Sequence, residues 1–95
     1  MRRRYLIAYD VADDKRRTAI FKCLMGNGDH VQFSVFICQL NDVELARLKG
    51  SLTESLNARQ DQIVILDMGP ADSDLSTRLQ CMGKTYTPPA RVMVI

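Results

Sequence analysis

Asp10 is the first residue whose type and position could do chemistry. It follows Tyr5-Leu6-Ile7-Ala8-Tyr9, a nearly unbroken apolar run, and so stands just past the end of an expected strand, where open α/β-type sheets tend to bind ligands. Lys15, Arg16 and Arg17 come within one loop and a helical turn of it. A carboxylate that can hold magnesium beside cations that can meet phosphate points to phosphodiester hydrolysis. One carboxylate does not make such a site. A symmetric dimer would place two copies of Asp10 across its axis, and magnesium accepts one or two carboxylates because it keeps several waters. When bound there it would polarise a phosphoryl group and lower the pKa of a water. Arg17, three residues before Ile20, belongs at the rim of the buried helix face, where it could stabilise developing charge. Lys15 and Arg16 suit backbone phosphates. A plainer reading stays open, in which Asp10 caps a turn in Asp10-Val11-Ala12-Asp13-Asp14 and the three cations are a solvated helix start.

Other chemistries find little support. His30 is the single histidine, so zinc lacks a His pair and a structural role is expected for it. Gly26-Asn27-Gly28 falls at a helix end, the wrong place for a phosphate-cradling loop. Ser34 lacks a base, and Cys23, Cys38 and Cys81 lack electropositive context apart from Lys22.

These side chains need a scaffold, and 95 residues with 46% hydrophobic content supply one domain with a single core. A core of that size invites added stability from self-association. Three cysteines without CxxC spacing, each among apolar neighbours, read as buried thiols in a reducing cytoplasm. The start Met1-Arg2-Arg3-Arg4 is followed by too short an apolar run for an anchor or signal peptide. Net charge is +2, yet residues 1–22 hold seven basic groups against three acids, while the remainder carries a net −2. Such a local excess suits a polyanion, with a solvated surface as the alternative.

The elements follow from periodicity. Tyr5 to Tyr9 reads as a central strand covered on both faces. Asp13 and Asp14 open a helix along which Ile20, Phe21, Cys23 and Leu24 recur, until Gly26-Asn27-Gly28 ends it. Val31 to Leu40 is β-rich and long enough for two strands with a bend near Gln32 to Ser34. Asn41 and Glu44 resemble a capping box ahead of Leu45, Leu48, Leu52 and Leu56. Gln62 to Asp67 reads as a strand closed by Gly69-Pro70, then Ala71 to Ser76 as a loop. The order β-α-β-β-α-β predicts an α+β, ferredoxin-like sandwich: a four-stranded antiparallel sheet with both helices on one face. The other face needs cover, which the tail could help supply. Arg91 to Ile95 reads as an extra terminal strand without a partner, so 1–95 is one domain whose extension 77–95 is expected to pack on a second subunit. Phe33 and Phe36 are each expected to pack in the core or a dimer interface rather than to stack on bases.

Residues 5–17 and 28–36, Tyr5 through Arg17 and Gly28-Asp29-His30-Val31-Gln32-Phe33-Ser34-Val35-Phe36, resemble the two opening motifs of the small CRISPR-associated Cas2 family. The resemblance loosens from Asn41 to Met68 and fades after Gly69. It implies a ferredoxin-like homodimer that joins the CRISPR integrase in capturing foreign DNA as spacers, with members also described as magnesium-dependent endonucleases on RNA or double-stranded DNA. It implies Asp10 as metal ligand and catalytic residue, Tyr9 and Arg17 as further catalytic residues, and Ser34 and Phe36 as parts of the second motif. His30 stands where an arginine is frequent and Ala19 where another can occur. Two rival functions remain in view, a non-catalytic DNA-binding scaffold of the integrase complex and a small-molecule regulatory domain. No strand carries the basic-aromatic signature of an RNA-recognition module.

Overall fold

The computed structural model describes residues 1–87. The expected terminal strand Arg91 to Ile95 lies outside the described residues. Strand β1 (Arg3–Asp10) leads to helix α1 (Asp14–Met25), then β2 (Asp29–Gln32), β3 (Val35–Leu40), helix α2 (Asp42–Ser55), β4 (Gln62–Pro70) and a 3₁₀ turn at Leu75–Thr77. The sheet is antiparallel in the order β2-β3-β1-β4, which makes β1 central as its apolar run requires.

Alternation along the strands divides the side chains between two faces. Tyr5, Ile7 and Tyr9 of β1 pair in register with Cys38 and Phe36 of β3 and with Asp67, Ile65 and Ile63 of β4. Most of these rows pack on Ile20 and Leu24 of α1 and on Leu48 and Leu52 of α2, forming the core. Each large side chain so buried stabilises the fold by about 1.5–3 kcal/mol. Leu45, Leu56, Phe21 and Cys23 border it, as their helical spacing predicts. The cysteine expectation holds for buried Cys38 and half-buried Cys23 and fails for Cys81, which is exposed in the tail.

The helix ends obey their sequence. Asp13 caps α1 by accepting the Arg16 backbone N–H, and Asn41 with Glu44 closes a reciprocal capping box on α2. Gly28, after α1, presses on β3: a Cβ there would meet Cys38 Sγ at 2.4 Å and the Ile37 carbonyl at 2.6 Å. No side chain fits that gap.

The second sheet face carries Leu6, Ala8 and Asp10 of β1, paired with Ile37 and Val35 of β3 and with Leu66, Val64 and Gln62 of β4. Cover on this face is uneven. Residues 79–87 run beside Leu6, Val31 and Val35, enclosing a groove, so the tail supplies part of the expected cover. Val64 and Leu66 stay 48% and 59% exposed. At the far end of β1, buried Arg4 donates to the carbonyls of Ala71 at 2.8 Å and Ser73 at 3.0 Å, fastening the loop after β4.

Phe33 does not join the core, one of the two places expected for it. It is 91% exposed at the tip of the β2–β3 turn, whereas Phe36 is fully buried. The bend foreseen near Gln32 to Ser34 is real, and it takes Phe33 off the strand, so alternation no longer turns it inward.

Candidate functional site

Asp10 ends β1 on the sheet face away from the helices and is exposed. Its side chain makes no hydrogen bond or ion pair with any described residue. The turn-capping duty that competed with a functional reading belongs to Asp13. Asp10 is therefore a free carboxylate held in place by the central strand.

Tyr9, one residue earlier, faces the opposite way into the core. It stacks on Phe36 at 6.4 Å, and its backbone N–H donates to the Ser34 carbonyl at 3.1 Å. Burial raises the Tyr9 phenol above its usual pKa, with the Arg17 charge opposing. Arg17 sits beside the loop that follows Asp10, donating to the carbonyls of Val11 and Ala12, both at 3.2 Å, and pairing with Asp14. Tyr9, Arg17, Ser34 and Phe36 thus gather on the helix side of the β1 end, with Asp10 on the other.

The basic start is largely spoken for. Arg16 makes a forked contact with Asp61, 2.7 Å and 3.1 Å, and reaches Gln60 at 3.2 Å, tying α1 to the loop before β4. The Asp61 carboxylate is closed off from solvent. The Arg16 hydrogen bond, helped by the Asn57 N–H, holds it below the ordinary carboxylate range. Arg3 pairs with Asp67 at 2.9 Å and Arg2 with Glu44 at 2.7 Å. Among the described residues, Lys15 and Lys22 are the cations of the first 22 that have neither an ion pair nor a buried role. Sequence reading missed this neutralisation because Glu44, Asp61 and Asp67 lie far along the chain. It missed Arg4 for the same reason.

No group of three or more His, Cys, Asp or Glu side chains is gathered as a metal centre among the described residues. A single chain supplies the lone Asp10 carboxylate, which fits magnesium as one ligand among waters and phosphate oxygens and is not a closed protein cage. No helix among the described residues is long and apolar enough to cross a membrane.

Comparison with known proteins agrees with this architecture. The family described as CRISPR associated protein Cas2 matches residues 1–74. A Geobacter sulfurreducens protein named CRISPR-associated endoribonuclease Cas2 is 33% identical over 91 residues, 96% of this chain and 95% of its own length. A Thermus thermophilus protein of the same name is 41% identical over 71 residues, 74% of this chain and 76% of its own. Among solved structures, a hypothetical protein from Thermus thermophilus superposes with a TM-score of 0.77 at 30% identity, covering 94% of this chain and all of its own. Streptococcus pyogenes Cas2 superposes with a TM-score of 0.74 at 27% identity, covering 84% of this chain and 99% of its own.

Proposed function

This chain belongs to the family of CRISPR-associated Cas2 proteins, and from that premise we propose that it is a magnesium-dependent endonuclease working as a homodimer with the CRISPR integrase in spacer acquisition. The observation that carries the hydrolytic reading is the unengaged Asp10 carboxylate at the end of the central strand, next to the open sheet face. Two of its relatives named above are called endoribonucleases, which favours RNA as substrate, with double-stranded DNA as the second candidate.

A second copy seated on the open face would cover Val64 and Leu66 and bring two Asp10 side chains toward one axis. The extension 77–95, whose residues 79–87 line their own sheet, would then also pack on the partner. Asp10 would hold the magnesium, which when bound supplies Lewis-acid polarisation and an activated water. Of the two cations among the first 22 residues with neither an ion pair nor a buried role, Lys15 and Lys22, Lys15 is the nearer to Asp10 along the chain and would meet backbone phosphate. Arg17 keeps the loop after Asp10 in shape through Val11 and Ala12 and sets the local positive charge. Arg16 holds that loop's helix against Asp61, and would meet phosphate only through donors that Asp61 and Gln60 leave over. Three cysteines without disulfide spacing suit a reducing cytoplasm.

The test is cleavage of single-stranded RNA and duplex DNA with magnesium, with chelator, and by Asp10→Asn. Loss of roughly a hundredfold or more in the variant is expected, together with loss of manganese binding followed by electron paramagnetic resonance. Undiminished cleavage by Asp10→Asn would remove the site. The rival scaffold reading needs no metal at Asp10; spacer acquisition that persists in Asp10→Asn cells would select it.

A further inference from the structure

A cavity of about 270 Å³ opens between α1 and the β2–β3 turn, walled by Tyr9, Phe21, His30, Phe33 and Ser34 with Arg17 in its lining. Its floor is aromatic. Phe21 meets His30 edge-on at 5.4 Å, and His30 lies 4.8 Å from buried Phe36. Phe33 stands at the mouth with 91% of its surface in water. A hairpin tip needs no phenylalanine, since Gly, Asn, Asp and Ser make turns more readily. The His30 ring approaches the Phe33 carbonyl at 3.3 Å, steadying the turn that carries the exposed ring. The donor edge of Arg17 is taken by Val11, Ala12 and Asp14, which leaves its flat guanidinium faces for stacking.

We infer that this cavity receives one unpaired nucleobase of a single-stranded nucleic acid, with Phe33 stacking on it. Exposed aromatic rings beside cations form the platform on which single strands stack. The volume lies below the ~300–1,000 Å³ of pockets for drug-sized ligands, which suits one ring system. A base inside a duplex is already stacked and would have to be flipped out first. The inference rests on the nucleic-acid reading above and adds to it the place and the side chain that would hold a base. Tyr9 lines the cavity while its neighbour Asp10 faces the other side of the sheet, so a strand crossing the end of β1 meets both.

The chain has no tryptophan, so Phe33→Trp introduces its sole indole at the mouth of the cavity. In an Asp10→Asn background that prevents cleavage, binding is measured by anisotropy for unstructured RNA, for DNA of the same sequence, for a blunt duplex and for a strand carrying abasic positions. Phe33→Ala should weaken binding of the unpaired strands about five- to a hundredfold and leave the duplex unaffected. Phe33→Trp should retain affinity and show indole quenching by the intact strand but not by the abasic one; the RNA and DNA arms tell which backbone is accepted. Circular dichroism should show both variants folded, because the ring is outside the core. Equal affinity of Phe33→Ala and its parent for single strands, or equal loss for strand and duplex, would overturn the inference and leave the nuclease reading standing. Failure of every form to bind any nucleic acid would remove both.

Discussion

At the scale of single residues, the first 22 positions look like a phosphate-binding patch in one dimension and much less so in three. Arg2, Arg3 and Arg16 are answered by acids from α2, the α2–β4 loop and β4, and Arg4 by two carbonyls. Sequence separation hides such pairs. Asp10 was legible because a long apolar run ends on it, and Asp13 with Asp14 as acids at a helix start, though not which of them caps it; the Arg16–Asp61 contact left no local mark. That contact has a pH signature. Since the folded-state pKa of Asp61 is depressed, its stabilisation is present above the unfolded value of about 3.9 and is lost as pH falls through the folded one. Arg16→Met should therefore melt at lower temperature at pH 7, with the difference from the parent shrinking from about pH 4 downward. Melting curves that stay parallel down to about pH 2 would show that the pair contributes nothing.

At the scale of elements, periodicity and capping chemistry identified both helices and all four strands, and missed mainly their ends. β1 begins at Arg3, two residues before the apolar run, and β4 continues to Pro70 past the expected end at Asp67. Those extensions are held by backbone pairing between Arg3 and Pro70 and by the Arg3–Asp67 pair, which hydropathy does not register. The turn at Phe33 was foreseen as a bend while its exposed ring was not, because β-propensity pulls an aromatic residue toward the strand reading. The α1–β2 join leaves no room for a Cβ at Gly28. Gly28→Ala would drive a methyl group against Cys38 Sγ and the Ile37 carbonyl, and should destabilise by about 1–3 kcal/mol, read as a lower urea midpoint. An unchanged midpoint would mean that β3 moves aside freely.

At the scale of the whole molecule, the sandwich has one sealed face and one partly covered. The need for cover on the second face was readable from the element order, since both helices go to one side. That the tail would contribute was readable too, but not its path, because residues 77–87 alternate too weakly to announce it. If a second copy completes the cover through β4, sedimentation should give a mass near twice the 10.8 kDa of one chain. Leu66→Glu should weaken that association roughly tenfold or more. A parent that sediments as a single chain at every concentration would reject the arrangement. The bareness of the β4 side also has a bearing on dosage. Where assembly depends on two molecules meeting across Val64 and Leu66, turnover at low expression rises with the square of protein concentration, and abundance alone becomes a control on when the system can act.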